Sequence, residues 1–252
     1  MLVTAAVVPG PPAFVVELMG SAAPELDSLR QAADQVLSHV LSDLLAASAD
    51  PREPGSAQLV VVGPGEPGEY EAAGPVSFAG FGRDIVVPAL AGEGLADGGL
   101  PTPIMVARYL ASRDLRAHPE HAGLWASARW VTTGGPGAAA LGEQLGGGSS
   151  CVGLILVADG AACHGPKAPR AEDARAQAYD TETVEALASG RPDRLALTDG
   201  ELGAELGATG YQVWPVLVAA AGGEMIGSVR WSGAPYGVGW AVASWRRATS
   251  PI

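Results

Sequence analysis

The residues best suited to chemistry follow a fully apolar run near the middle of the chain. Residues 151–158 read Cys-Val-Gly-Leu-Ile-Leu-Val-Ala, which predicts a buried strand. Asp159 follows directly, with His164 five residues later. A carboxylate and an imidazole can form a general acid-base pair, so Asp159 and His164 are the candidate catalytic residues. An Asp159 that caps the next turn, with His164 exposed, explains the pattern equally well.

Two neighbouring patterns point to other chemistry but fit it poorly. His118 and His121 form an H-x-x-H pair, which on a helix can direct both imidazoles to one metal. Pro119 between them favours a surface loop instead. Residues 160–167 read G-A-A-C-H-G-P-K, but a phosphate-binding P-loop needs Lys directly after the second Gly and then a hydroxyl residue. We therefore expect no nucleotide site.

The two cysteines are too few for a disulfide framework or a four-thiolate metal site. Cys151 belongs to the predicted buried strand, where it should act as a small apolar core residue. Cys163 falls in a loop and is a candidate reactive thiol.

Apolar periodicity predicts the elements that position these side chains. Strands are predicted at residues 2–8, 58–62, 84–88 and 151–158, with a β-prone run at 125–132. Helices are predicted over residues 26–44, 103–115, 171–188, 199–209 and 213–221, with a Gly/Ala helix or loop before residue 148. A polar link at 49–56 and a long Gly/Pro loop at 63–79 separate elements, and strands at 224–231 and 236–245 close the chain.

This alternation predicts a single α/β domain over residues 1–252, a three-layer α/β/α arrangement with a mixed central sheet and a C-terminal antiparallel strand pair. A chain of 252 residues, 48% of them hydrophobic, can bury such a core. Ligands of open α/β sheets bind beyond the carboxyl ends of the strands. The predicted fold therefore places Asp159 where a ligand is expected.

The charge of the chain argues against two classes of partner. It holds 15 Lys and Arg against 27 Asp and Glu, a formal net charge of -12. Without a basic stripe to neutralise phosphates, we expect no nucleic acid and no membrane as partner. No apolar run reaches the roughly 18 residues of a membrane span, and the N-terminus lacks the basic start of a signal peptide. We expect a soluble, cytoplasmic protein.

Four motifs, taken in order, resemble the catalytic B subunits of class III extradiol ring-cleavage dioxygenases and their Memo-like relatives. They are Pro-Gly-Pro-Pro after the first strand, Val-Val-Gly-Pro-Gly after the second, Val-Ala-Asp-Gly after the central strand and Ala-Pro-Tyr-Gly-Val-Gly-Trp near the end. The resemblance spans nearly the whole chain. It implies, for active members, a non-haem ferrous iron held by two histidines and a carboxylate, with a further acid-base histidine.

The positions that the resemblance assigns to these groups hold other residues here. Gly10 and Gly65 stand where the two histidine ligands belong, and residues 211–218 hold no carboxylate for the third. The acid-base histidine would fall at Ala162, with His164 two places later. Glycine has no side-chain donor, so we expect no cofactor, although the family would use Fe(II).

The leading hypothesis is therefore a metal-free, catalytically degenerate homologue that acts as a small-molecule-binding or regulatory protein. Its ligand pocket would contain Gly10, Pro11, Gly65, Asp159 and Tyr236. Small glycines there would enlarge the cavity and expose backbone N–H groups, which suits a small anionic or aromatic ligand.

Two alternatives stay open. One is an active oxidoreductase or hydrolase with a relocated site around Asp159 and His164, with or without a metal held by His118 or His121. The other is a dimeric protein-interaction module, a homodimer formed through closing strands that carry Trp231, Trp240 and Trp245. Core packing explains these tryptophans equally well.

Overall fold

Short runs of β-branched and apolar residues form the strands of the computed structural model, which describes residues 1–49, 56–71, 74–90 and 99–248. In chain order the strands are β1 (Leu2–Val8), β2 (Ala57–Pro64), β3 (Gly68–Tyr70), β4 (Val76–Ser77), β5 (Val86–Val87), β6 (Arg129–Thr133), β7 (Cys151–Val157), β8 (Ile226–Gly233) and β9 (Trp240–Arg246). Seven of them form one sheet in the order β3-β6-β2-β7-β1-β9-β8, and β4 pairs with β5 separately.

The directions of these strands create one edge at which several loops meet. β6, β2, β7 and β1 run parallel, while β9 is antiparallel to β1 and β8 is antiparallel to β9. All seven residues of β7 are buried, as expected of a parallel strand covered on both faces. The carboxyl ends of the parallel strands therefore share an edge with the end of β8 and the start of β9.

Helices cover both faces of the sheet. They are α1 (Val16–Met19), α2 (Asp27–Ser48), α3 (Thr102–Ala117), α4 (Ala122–Ala126), α5 (Pro136–Gly147), α6 (Ala176–Ser189), α7 (Pro192–Leu195), α8 (Gly200–Glu205) and α9 (Trp214–Ala221). One face packs against α2, α3 and α4, and the other against α5, α6, α7 and α9. The predicted three-layer α/β/α class, with its mixed sheet and closing antiparallel pair, is confirmed.

Several local predictions were wrong, among them the three that follow. The loop predicted at residues 63–79 contains β3, which pairs with β6, and Tyr70 Oη lies 3.1 Å from Thr132 Oγ1. The strand predicted at 125–132 begins only at Arg129, because Trp125 belongs to α4 and stacks on Trp130. The helix predicted at 199–209 ends at Glu205. Most of the polar link predicted at 49–56 lies outside the described residues.

The tryptophans of the closing strands lie largely inside the domain. Trp240 and Trp245 are 4% and 1% exposed, and Trp231 is partly buried with its Nε1 donating to Ser28 Oγ. Core packing therefore accounts for their presence. Among the described residues, no helix combines the length and apolar composition that crossing a bilayer requires.

Candidate functional site

Asp159 is held at the carboxyl end of β7 by bonds to two other loops. Its Oδ1 accepts a hydrogen bond from the Gly10 N–H at 3.1 Å, and its own N–H donates to Thr209 Oγ1 at 2.9 Å. Burial raises the pKa of the Asp159 carboxyl to about 6, although the Gly10 bond lowers it. No donor within the described residues reaches Oδ2 within hydrogen-bond distance.

Packing and backbone geometry give Gly10 and Gly65 structural reasons to be glycines. A Cβ on Gly10 would lie 2.6 Å from Val157 Cγ1, so a larger residue needs β7 to shift. Gly65 has a φ of +145°, which favours glycine. The N–H of Gly10 is already bonded to Asp159, so it does not serve as a free anion donor.

His164 forms its close polar contact with a residue that the sequence analysis did not select. His164 Nε2 lies 2.6 Å from Asp180 Oδ2, and Asp180 Oδ1 accepts the Ala161 N–H at 3.0 Å. Burial raises the pKa of the Asp180 carboxyl, more than the bonds from Ala161 and His164 lower it. We assign the Nε2 proton to the bond with the Asp180 carboxylate, which leaves Nδ1 available for a further hydrogen bond.

Two glycines create the space that Asp180 occupies. A Cβ on Gly160 or on Gly239 would overlap the Asp180 carboxylate, and both residues line the same cavity. The His164–Asp180 pair therefore depends on the loop after β7 and on the start of β9 at once.

We expect Gly239→Ala to lower the free energy of unfolding by about 1 to 3 kcal/mol, because the added methyl group displaces Asp180. Chemical denaturation measures the change. Gly123→Ala is the matched control, since a Cβ there meets no atom within 4 Å. The double variant Gly239→Ala, Asp180→Ala should recover most of the loss. Equal stability of Gly239→Ala and wild type would contradict this packing.

A cavity of about 470 Å³ lies beside these side chains, between α6 and the start of β9. Its wall includes the polar residues Asp159, His164 and Asp180 and the apolar residues Val184, Leu187 and Trp214. A mainly apolar cavity of this size with a few converging polar groups is typical of small-molecule sites.

Most of the predicted pocket residues do not line this cavity. Asp159 lines it, whereas Gly10, Pro11, Gly65 and Tyr236 lie outside its wall. Tyr236 Oη donates to Glu25 Oε2 at 2.7 Å, and its ring meets Trp240 edge-on. Pro11 accepts the Phe14 N–H in the turn after β1.

Asp159 and His164, the two candidate catalytic residues, both line the cavity but bond to different partners. Asp159 therefore does not orient His164. The residue that orients His164 is Asp180, which also lines the cavity.

Cys163 is not the reactive loop thiol that its position suggested. It is 2% exposed, and its Sγ lies 3.5 Å from the Leu206 carbonyl oxygen. Burial raises the pKa of the Cys163 thiol, which disfavours the nucleophilic thiolate. Cys151 is buried in β7, as predicted.

The prediction of a surface loop was wrong for His121, which is fully buried. Its Nδ1 lies 3.0 Å from Asp114 Oδ2 and its Nε2 lies 3.3 Å from Ser42 Oγ. His118 stacks on His121 with ring centroids 5.2 Å apart. This cluster packs with α2 and α3, across the sheet from α6, so His118 and His121 do not reach His164 to complete a shared centre.

The residues at this sheet edge do not fit the iron of the family that the motifs resemble. Gly10 and Gly65 provide no side-chain donor and residues 211–218 hold no carboxylate, so none of the three ligand positions that the resemblance implies carries an iron-binding side chain. Within the part of the chain that the structure describes, no group of three or more His, Cys, Asp or Glu side chains could hold a metal ion.

Asp180 could have been found from the sequence. Ala176, Tyr179, Thr183 and Leu187 form the buried stripe of α6, and Asp180 falls on that stripe at helical spacing. A carboxylate on an apolar helix face is unusual and marks either a buried pair or a site.

Comparisons with known proteins show a distant structural likeness but no family. No family model matches the chain, and no curated protein matches it. A solved structure with a similar chain path is that of the uncharacterized protein JW3007 from Escherichia coli K12, at 15% identity and a TM-score of 0.45. The match covers 96% of this chain and 99% of that chain.

Proposed function

We propose that this protein binds a small molecule in the cavity between α6 and β9. The observation that carries the proposal is the cavity of about 470 Å³, into which an apolar wall and a few polar groups converge. The His164–Asp180 pair would fix the orientation of the ligand. Trp214 and the aliphatic wall would contact its apolar part.

Between an anionic and an aromatic ligand, the wall favours the aromatic one. The Trp214 ring and the side chains of Val184 and Leu187 offer apolar area to a ring. Asp159, Asp180 and Glu185 also line the cavity, and their carboxylates work against an anion.

A cavity-filling substitution tests this proposal. Benzyl alcohol should bind the wild type in ligand-detected NMR titrations, and Val184→Trp should weaken that binding at least about tenfold, equivalent to about 1.4 kcal/mol. Ala178→Trp is the matched control, because Ala178 is exposed on the same helix and lies outside the wall. Equal binding by the wild type and Val184→Trp would reject the cavity as the site.

We also propose that the chain is a degenerate relative of the class III extradiol dioxygenase B subunits. Its support is the ordered set of four motifs, together with the glycines that stand at the ligand positions. Protein purified without an affinity tag should contain no stoichiometric iron or zinc by plasma mass spectrometry. Ferrous iron added anaerobically should be lost on dialysis. Iron retained at one equivalent would overturn the degenerate assignment.

The second candidate function is acid-base catalysis in the same cavity. The observation that favours it is the 2.6 Å contact of His164 Nε2 with Asp180, which leaves Nδ1 able to take a proton from a bound substrate. A hydrolase of this type should cleave small aromatic esters such as phenyl acetate. His164→Ala should then slow the reaction by about 100-fold or more. Equal rates in the wild type and His164→Ala would remove this candidate.

A further inference from the structure

We infer that His164 makes the cavity select its ligand by hydrogen-bond type, favouring a ligand that accepts a hydrogen bond at acid pH and one that donates a hydrogen bond at alkaline pH. The inference rests on the proposed binding function. His164 lines the cavity with a side chain that is 13% exposed. Its Nδ1 has no hydrogen-bond partner within the described residues, and it is not one of the unpartnered atoms that are shielded from solvent. Nδ1 is therefore the ring nitrogen that remains for a ligand.

Hydrogen bonds to α6 and to the turn before β9 fix the orientation of the imidazole. Its Nε2 lies 2.6 Å from Asp180 Oδ2, and the backbone N–H of His164 donates to the Gly237 carbonyl oxygen at 3.0 Å. Asp180 is held in turn by the Ala161 N–H, which donates to Oδ1 at 3.0 Å. A ring flip that exchanges the two nitrogens would break the bond to Asp180, so Nδ1 stays the nitrogen without a partner.

The role of Nδ1 changes when the His164–Asp180 pair gains one proton. With a single proton between Nε2 and the carboxylate, Nδ1 is an acceptor. If the added proton enters the ring, both nitrogens are donors. If it enters the carboxyl, whose O–H then donates to Nε2, the ring proton lies on Nδ1, which is again a donor. Because imidazole ordinarily changes charge between pH 5 and 8, lower pH turns an acceptor on the cavity wall into a donor.

Other titratable groups line the cavity beside His164. They are Asp159, Tyr179, Asp180 and Glu185. The wall residues of β8 and β9 add none. On the loop that carries His164, Cys163 is buried and Lys167 is exposed, and both lie outside the wall. Burial raises the pKa of Asp159 to about 6, so this carboxyl also changes charge between pH 5 and 9, and a variant of His164 alone separates the two effects.

Three neutral aromatic probes that differ in hydrogen-bond type test the inference. Indole can only donate, acetophenone can only accept, and the hydroxyl of benzyl alcohol can do either. In ligand-detected NMR titrations of the full chain, indole should bind at least about tenfold more tightly at pH 9 than at pH 5. Acetophenone should bind at least about tenfold more tightly at pH 5 than at pH 9. Benzyl alcohol matches either state of Nδ1, so its affinity should change by less than about threefold.

His164→Gln keeps an amide donor for Asp180 but does not titrate, so indole and acetophenone should each bind this variant equally at the two pH values. Glu182→Gln, exposed on α6 and outside the wall, is the matched control and should behave as the wild type. The Cε1–H resonance of His164 in the wild type gives a second readout that needs no variant. By reciprocity, the midpoint of its pH titration should lie about two pH units higher with saturating acetophenone than with saturating indole.

The outcomes separate the inference from the proposed function. If the probes bind but the affinities of indole and acetophenone do not change with pH in opposite directions, the inference falls and the binding function stands. The inference also falls if His164→Gln keeps the pH dependence of the wild type, or if the two ligands leave the midpoint of the His164 resonance at the same pH. If none of the three probes binds, the binding function and the inference fail together.

Discussion

Replacing Asp114 by Ala is expected to lower the free energy of unfolding by about 2 to 4 kcal/mol, because two buried donors lose their acceptor. Asp114 Oδ2 accepts the Trp125 Nε1 proton at 2.7 Å and lies 3.0 Å from His121 Nδ1. Asp114 and His121 are 4% and 0% exposed, so water does not replace the lost bonds. Chemical denaturation of both proteins measures the difference.

Asp114→Asn is the control for this prediction, because its amide oxygen can still accept a hydrogen bond from Trp125. The Asn variant should therefore lose less stability than the Ala variant. Binding of benzyl alcohol to Asp114→Ala, measured below its unfolding transition, should match the wild type. A loss of less than about 0.5 kcal/mol, the size typical of surface substitutions, would contradict the assignment of this cluster to core packing. The H-x-x-H pair is thus explained by stability, with no metal needed.

Asp159→Asn is expected to stabilise the protein at pH 8 and to change its stability little at pH 4. The ordinary pKa of this carboxyl is 3.8 and burial raises it to about 6, so the folded state holds the proton more tightly than the unfolded chain. Stability therefore falls as the pH rises from about 4 to about 6. This pKa difference between the folded and unfolded states corresponds to about 3 kcal/mol of stability. The partial exposure of Asp159 reduces the expected gain from Asp159→Asn to about 1 to 2 kcal/mol.

Denaturation curves of the wild type and Asp159→Asn at pH 4, 6 and 8 check this sign. Glu182→Gln, an exposed substitution, should stay within about 0.5 kcal/mol of the wild type. A destabilised Asp159→Asn at pH 8 would mean that the carboxylate is held by favourable bonds. A carboxylate that lowers stability at neutral pH is typical of groups that serve binding or catalysis.

Local signals in the sequence were enough to predict most of the fold. β1 and β7 follow from unbroken apolar runs, and the buried stripe of α2 follows from helical spacing. β3 was missed because its partner strand β6 lies about 60 residues later, so only the pairing stabilises it. A three-residue strand has no periodicity of its own that could reveal it.

Only part of the site could be predicted, because local signals reveal single residues and not contacts between distant ones. Asp159 was identified because its position at a strand end is a local property. Its partner Gly10 and the His164–Asp180 contact depend on where separate loops and α6 lie in the folded chain. The space for Asp180 depends on Gly239, which is 59 residues further along the sequence. Such arrangements depend on tertiary packing, which cannot be predicted from composition and residue spacing alone.

The central claim is that a small molecule occupies the cavity between α6 and β9, and nuclear Overhauser contacts from bound benzyl alcohol test it most directly. The probe should show contacts from its ring protons to the Trp214 indole and to the Val184 methyl groups, both of which line the cavity. These contacts should persist in Ala178→Trp. Contacts confined to other parts of the protein, such as the ring of Tyr236, would contradict the claim.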